Sequence, residues 1–460
     1  MYERYHIPLK TVEPRASRVA GFTIERADNC INCGRCERAC IYGVHTRSRS
    51  DTREMADPVS HLCKDCFRCI AECPQGALTI SRGAEFQSLG RGIWTPLRIS
   101  TIWSEAETGK IPVLGAGYKG MFAGDGYDDM WTDMSEIVRP TRDGIHGREF
   151  ISTGVDIGRM PPFLEFEPSG AMRTSIPPLI EIPIPMVLDL TRMRTCSKTM
   201  AEGFLDAASR LKTLAFVPLG SVSNKTIRDM AGCVVPVIPS HTDLSNVNLP
   251  DEARLIELAA GLSWKKDYDA LVKKFPDRVL SVRIEAATGV EDKVFEMLER
   301  GVAVANVQFT DQGRESGRND RHAKDSLRAI HDKLVEAGRR DELTVMAGGG
   351  MAAAEHVPKS IICGADLVSL SKALLIALEC RDCTKCESPS CPIDLPSAPA
   401  SWVADRVMNV VGAWRDQLLE VLGAMGLREV RRLRGELGRA IFLDDLEADF
   451  LPPQHGGDDA

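Results

Sequence analysis

No stretch of about 18 consecutive apolar residues occurs in this chain, so no segment has the length and character of a transmembrane helix. Its first residues, MYERYHIPLKTVEPR, lack the apolar core of a secretory signal, and the expectation is a cytoplasmic protein with no direct membrane insertion. Any membrane contact would then run through a partner subunit. Basic charge is not in excess. Lys and Arg total 57 against 65 Asp and Glu, a net charge of −8, which speaks against a nucleic-acid partner. Histidine is scarce, at 9 of 460 residues, and His6, His61, His146 and His356 show no ligand-like spacing. A nicotinamide fold is also missing. Gly115 to Gly120 matches G-x-G-x-x-G but runs on through MFAGDG, with no helix to receive a pyrophosphate, and reads as a loop.

Cysteine is abundant instead, with 15 in a chain whose thiols should be kept reduced, and that points to cofactors. Cys30, Cys33, Cys36 and Cys40 form one run; Cys63, Cys66, Cys69 and Cys73, followed by Pro74, form another. Each reads C-x2-C-x2-C-x3-C, the spacing by which thiolates hold cubane iron–sulfur clusters. Three cysteines on a tight loop reach three irons of one cube, and the fourth is carried to the other cluster. Cys30, Cys33, Cys36 and Cys73 are therefore assigned to one [4Fe–4S] centre, and Cys40, Cys63, Cys66 and Cys69 to a second. Zinc sites more often present two separated CxxC pairs, and disulfides do not suit the compartment. Cys196, Cys233 and Cys363 are isolated and read as small buried residues.

The chain divides by its grammar. Residues 1–20 read as a lead-in arm and 21–85 as a ferredoxin-like unit with strands at 21–24 and 77–80. The segment between Cys40 and Cys63 is expected to be an exposed insertion. Residues 86–175 show no lasting period and read as a connecting cap. From about Ile182, short β-branched runs such as CVVPVIP and RVLSVRIEA alternate with amphipathic stretches such as RHAKDSLRAIHDKLVEAGRR. This pattern fits an α/β fold with a parallel (β/α)8 barrel over residues 176–400. One strand is expected at about 255–260. Residues 401–460 read as a helical tail, whose basic run REVRRLRGELGR suggests a solvated or docking helix face.

Cys380, Cys383, Cys386 and Cys391, followed by Pro392, make a third cluster. Within it C-x5-C-x4-C-P, met by Cys380, Cys386, Cys391 and Pro392, resembles the [3Fe–4S] motif that follows the FMN barrel in glutamate synthases. The run from Gly364 to Cys380 resembles that family's eighth-strand segment, and Ala347 to Met351 its phosphate-binding strand end. A two-cluster ferredoxin unit fused to such a barrel resembles the archaeal-type members. The chain departs from the pattern at several places. Cys383 is an additional thiol, which allows either a [3Fe–4S] or a [4Fe–4S] centre. Gly348 stands where the family has Asp, and Arg283 where a barrel lysine is expected. A glycine-rich loop is rewritten around Asp311 and Gly313, and the substrate-facing segment reads T-R-M-R-T from Thr191 to Thr195.

The resemblance implies FMN. A ribityl phosphate needs unshielded backbone N–H groups, which Gly348, Gly349 and Gly350 supply, opening into a helix. Ser371 and Lys372 follow the next strand, where barrels commonly hold phosphate. Arg283 at a strand end could hold a carboxylate or a flavin edge, or pair with Glu285. Gln308, at the next strand end, is expected to help bind the cofactor, and Asp311, with Arg283 a candidate catalytic residue, either orients flavin or substrate or caps a helix. The expected function is that of an iron–sulfur flavoprotein oxidoreductase passing electrons between the ferredoxin-type clusters, the barrel cluster and FMN. The alternative is an electron-transfer subunit of a larger redox complex without glutamate synthesis of its own. Position 2 is Tyr rather than Cys, so ammonia would come free or from a separate glutaminase subunit. Reductant would come from a partner such as a ferredoxin or an NAD(P)H-oxidising subunit.

Overall fold

The computed structural model describes residues 5–112, 124–132, 151–161, 163–193, 196–317, 320–383 and 391–450. The chain forms two compact units, one of residues 13–100 and 381–393, the other of residues 1–12, 101–380 and 394–460.

In the smaller unit, β1 (Phe22–Arg26) and β2 (Leu78–Arg82) pair antiparallel with Ile24 opposite Ile80, each extending further along the chain than its sequence pattern suggests. Ile24, Val44, Cys69 and Leu78 form its buried core, with Leu62, Ile70 and several cysteines packed against them. The segment between Cys40 and Cys63 is only partly the exposed insertion expected from sequence. Ser48 N donates to Glu54 O and Ala56 N to Thr46 O, both at 2.9 Å, so the chain doubles back on itself. Val44, His45 and Met55 are buried, while Ser50 and Thr52 at the tip are exposed. Burial of those three side chains turns a loop into part of the core.

A helix at Pro96–Thr108 was not foreseen in the aperiodic stretch. Its Ile99, Ile102, Trp103 and Ala106 recur at i, i+3, i+4 and i+7, a short apolar stripe in which Ile99, Ile102 and Ala106 are buried.

Short two-stranded ribbons flank the barrel: β3 (Met130–Thr132), β4 (Val155–Gly158) and β5 (Leu179–Ile182), with β4 and β5 antiparallel. The barrel follows as β6 (Met186–Asp189), β7 (Ala215–Pro218), β8 (Val234–Ile238), β9 (Leu255–Ala259), β10 (Val279–Glu285), β11 (Val304–Gln308), β12 (Thr344–Gly348) and β13 (Leu367–Leu370). These eight strands close into a parallel barrel in sequence order, β13 pairing with β6. The strand expected near 255–260 is β9, seated between β8 and β10. Nearly continuous apolar runs suit strands covered on both faces. A last strand, β14 (Ala440–Phe442), pairs antiparallel with β3.

Between strands, helices are started by side chains that satisfy the first free N–H groups. Ser197 Oγ accepts from Met200 N at 3.2 Å to begin Lys198–Arg210, and His322 Nδ1 accepts from Lys324 N at 3.1 Å to begin Ala323–Glu336. The expected tail is no appendage. Helix Ala400–Ala424 packs on Lys198–Arg210 so closely that a Cβ on Gly203 would lie 2.6 Å from Ala400 O. Nor is the basic run a helix face. Its Arg431 donates to Asp156 at 2.7 and 3.0 Å, and Arg434 to Asp366 at 2.7 Å, so these arginines tie the chain end to the barrel unit.

Candidate redox site

Two cysteine quartets assemble in the smaller unit. Cys30, Cys33, Cys36 and Cys73 line one cavity, together with Arg26, Met55 and Pro74. Cys40, Cys63, Cys66 and Cys69 line the other, beside Val44, His45 and Phe67. The exchange of fourth cysteines has a local cause. Cys36 lies inside the short helix Arg35–Ala39 and Cys40 caps its end, so Cys40 is carried away from its own loop. Cys69 lies inside helix Arg68–Ala71, and Cys73 follows its C-cap, Glu72.

Both loops share one backbone device. Asn32 and Gly34 have φ of 52° and 68°; Asp65 and Phe67, two and four residues after Cys63, have 59° and 55°. This left-handed pair turns successive cysteine side chains inward. Asp65 N approaches Cys63 Sγ at 3.5 Å and Ala77 N approaches Cys73 Sγ at 3.3 Å, the N–H···S contacts that tune cluster potentials. Arg47 Nη1 donates to Asn32 O at 2.8 Å and Met55 N to Asn32 Oδ1 at 3.1 Å, so the doubled-back insertion braces the first loop. Burial pushes the Cys36, Cys63 and Cys69 thiols up, and iron would be needed to hold them as thiolates.

At the third motif, Cys380, Cys383 and Cys391 are half-buried, and Cys386 lies outside the described residues. Asp382, two residues after Cys380, has φ of 53°, the conformation of Asn32 after Cys30 and of Asp65 after Cys63. Before it, Glu379 pairs with Arg406 at 3.5 Å, both buried, and Arg406 Nε donates to Ala377 O at 2.6 Å.

The C-terminal mouth of the barrel holds a buried polar ring. Arg283 Nε donates to Glu257 Oε1 at 2.6 Å, and its Nη1 reaches Asp189 Oδ2 at 3.0 Å and the Thr191 hydroxyl. Glu285 is not its partner, since Glu285 lies 3.8 Å from Arg192 instead. Arg283 is ion-paired, but with Asp189 and Glu257 rather than with Glu285, which shares its face of β10 and lies exposed at the strand end. Asn306 donates to Glu257 Oε2 at 2.7 Å, Gln308 Nε2 to Asn306 Oδ1 at 2.6 Å, and Arg192 Nη1 to Gln308 Oε1 at 3.0 Å. Gln308 is thus an interior link, and a Cβ on Gly348 would lie 2.4 Å from its amide.

Gly349 and Gly350 adopt φ of 88° and 73°, and Cβ atoms there would meet Phe309 O and Gly313 Cα at 2.2 and 2.3 Å. Packing against the loop after β11 is one reason for these glycines. They do not open directly into a helix, because the next one, His356–Ile362, begins after a turn. Ser371 is buried at the start of Lys372–Ala377, and Lys372 Nζ lies 3.8 Å from Asp311. Asp311 sits in the turn from Thr310 to Gly313 and caps no helix. The site nevertheless suits a flavin in one specific respect. Arg283 Nη2 is buried and has no hydrogen-bond partner among the described residues, an N–H donor that would suit an acceptor such as a ring carbonyl.

Sequence reasoning missed Asp189, Glu257, Asn306 and Ser369. A charged or amide side chain inside an otherwise apolar strand, as in IELA or VANVQ, was the available signal. The G-A-G-Y-K-G segment, Arg194 and Thr195 lie outside the described residues.

Comparison with known proteins agrees in kind with these features. A family model described as a conserved region in glutamate synthase matches residues 323–428, and a 4Fe-4S dicluster domain matches residues 29–78. An archaeal glutamate synthase [NADPH] of Archaeoglobus fulgidus is 24% identical over 506 residues, covering 95% of this chain and 97% of the relative. One of Dehalococcoides mccartyi is 22% identical over 479 residues, covering 90% of this chain and 93% of the relative. Among solved structures, a flavocytochrome b2 variant with benzoylformate is similar at a TM-score of 0.42 and 12% identity, covering 71% of this chain and 90% of that one. A mandelate oxidase variant is similar at 0.38 and 13%, covering 62% and 87%. With the dicluster domain, the synthase region and relatives that span almost the whole chain, the protein is similar to archaeal-type glutamate synthases along nearly its full length and is an iron–sulfur flavoprotein oxidoreductase.

Proposed function

We propose that electrons pass between two [4Fe–4S] clusters in the smaller unit, a third cluster and an FMN at the mouth of the barrel. The two cysteine quartets carry this reading, since each supplies the four thiols of one cube. Cys30, Cys33, Cys36 and Cys73 ligate the first cluster, and Cys40, Cys63, Cys66 and Cys69 the second. Cys380, Cys383, Cys386 and Cys391 ligate the third. C-R-D-C-T-K-C there repeats the C-K-D-C-F-R-C of the second loop, and Asp382 repeats the left-handed turn of Asp65. Cys383 as fourth ligand makes that centre [4Fe–4S] rather than [3Fe–4S].

FMN supplies the exchange between two-electron substrate chemistry and one-electron clusters. Gly348, Gly349, Gly350, Ser371 and Lys372 would hold its phosphate, and Arg283 Nη2 its ring edge. Asp311, paired with Lys372, would position that lysine. The names of the relatives point to reductive formation of glutamate from 2-oxoglutarate and ammonia, with reductant delivered by a redox partner protein and ammonia free or from a glutaminase subunit. The second reading, electron transfer without glutamate synthesis, is favoured by Arg283 itself. Asp189 and Glu257 occupy two of its three nitrogens and leave less for a substrate carboxylate. Anaerobic protein loaded with iron and FMN, given reduced ferredoxin, 2-oxoglutarate and ammonia, separates the two. Glutamate formed in step with flavin turnover supports the synthase; flavin reduction without glutamate supports the electron carrier.

A further inference from the structure

Two carboxylates hold one guanidinium at the barrel mouth, and all three are buried. Asp189 and Glu257 are 0% exposed and Arg283 8%. With both acids ionised, the triad carries a net charge of −1 away from water, an arrangement that favours taking up a proton. Thr191 N and Oγ donate to Asp189 Oδ1 at 2.9 and 2.6 Å, and Ser369 Oγ reaches Asp189 Oδ2 at 3.3 Å. Ser281 Oγ and Asn306 Nδ2 donate to Glu257 Oε2 at 2.9 and 2.7 Å. From β7 the ring of Phe216 lies 6.0 Å from the Arg283 guanidinium carbon and brings no charge. Arg192 meets the ring only through Gln308 and is paired outward with Glu285.

Glu257 is better placed than Asp189 to take that proton. Asp189 also meets rotatable hydroxyls, but its carboxylate accepts four hydrogen bonds, from Thr191 N and Oγ, Ser369 Oγ and Arg283 Nη1, against three on Glu257. The Ser281 hydroxyl on Glu257 Oε2 can rotate and accept instead, so a protonated Glu257 keeps its hydrogen bond. Burial pushes the Glu257 carboxyl up and Asp189 adds to the shift, while Arg283 and the two hydrogen bonds oppose it. Arg283 links the triad to the cofactor, because its one unpartnered nitrogen is the donor left for a flavin acceptor.

We propose that Glu257 is a redox-linked proton acceptor: it takes one proton from solvent when the flavin on this mouth receives two electrons from the clusters, and returns it on reoxidation. One O–H bond forms on Glu257 Oε2, Arg283 stays charged, and the triad passes from −1 to 0 as negative charge arrives beside it. Glu257 acts through Arg283 and is a positioning residue. This inference rests on FMN binding at the barrel mouth.

The test is reduced-minus-oxidised infrared difference spectroscopy of the full FMN-loaded chain in H2O and D2O. A protonated-carboxyl C=O band should appear on reduction, shift in D2O and be lost in Glu257→Gln. The flavin midpoint potential should also lose part of its pH dependence in that variant. Ser281→Ala, a milder change, should move the band without abolishing it. Absence of the band in the wild-type protein, or its persistence in Glu257→Gln, overturns the proposal while leaving the flavin reading intact. A chain that carries iron but takes up no FMN overturns both.

Discussion

Asn32 and Asp65 stand two residues after Cys30 and Cys63 with φ of 52° and 59°, so the two cysteine loops have the same left-handed turn at the same place. Asn and Asp tolerate this conformation better than other non-glycine residues. Two residues on, Gly34 and Phe67 take the second left-handed position.

Gly34→Ala should therefore weaken one loop only. Beyond the ~1–2 kcal/mol of left-handed strain, its Cβ would lie 2.5 Å from Arg47 Nη2, and moving Arg47 disturbs the bond to Asn32 O. Thermal bleaching followed by EPR should show the first cluster lost at lower temperature, with the second unchanged. Equal loss of both would refute the local account.

The third motif has its own prediction. Three cubanes hold ~12 irons per chain, against ~11 with a [3Fe–4S] centre. Cys383→Ala should make about one iron labile and convert the third centre's EPR signature to that of a three-iron cluster. Cys196→Ala, at an isolated position, should change neither iron content nor EPR. An unaltered third-centre signal in Cys383→Ala would remove Cys383 from the ligand set.

Arg283→Ala should be severely destabilising, because it leaves Asp189 and Glu257 buried together without a counter-charge. Breaking a buried pair in this way costs about 3–5 kcal/mol. Arg283→Lys keeps the charge but not the fork that reaches Glu257 and Asp189 separately, so an intermediate loss is expected. Urea denaturation of the three proteins gives that order; indistinguishable midpoints would mean that the triad is not closed in solution.

Glu105 is 2% exposed, and its carboxylate accepts from Trp414 Nε1 at 2.8 Å. Burial pushes its carboxyl up to about 8, the indole N–H opposing. A raised carboxyl contributes stability that is complete below the ordinary value near ~4.3 and is lost as pH rises through about 8. Glu105→Gln keeps an oxygen for Trp414 and removes the titration. Its stability should fall less than the wild type's across that window, with a gain on the order of a few kcal/mol at alkaline pH. Parallel pH profiles for the two proteins would contradict the burial account.

The cysteine spacings were readable because cluster ligation is a local pattern, and the barrel because strand and helix periods alternate over a long stretch. Contacts between distant segments were not. Arg283 gave no sign of its partners, which come from β6 and β9. Helix Ala400–Ala424 resembled a tail until Lys198–Arg210 covered it, and the following arginines resembled a helix face until Asp156 and Asp366 claimed them one by one. Pro96–Thr108 carries only a short stripe, Ile99, Ile102, Trp103 and Ala106, which does not stand out in an otherwise aperiodic stretch. Gly348 to Gly350 were legible as special backbone, yet their tight packing on Phe309 and Gly313 appears only in three dimensions.

Electron flow from the clusters to the flavin is the central claim, and the rate at which a reduced ferredoxin bleaches bound FMN tests it most directly. In the wild-type chain the flavin should bleach completely. In Cys36→Ala, which removes a ligand of the first quartet, the rate should fall more than ~10-fold, a barrier increase of about 1.4 kcal/mol or more, with FMN content unchanged. Equal rates in the two proteins would contradict the account.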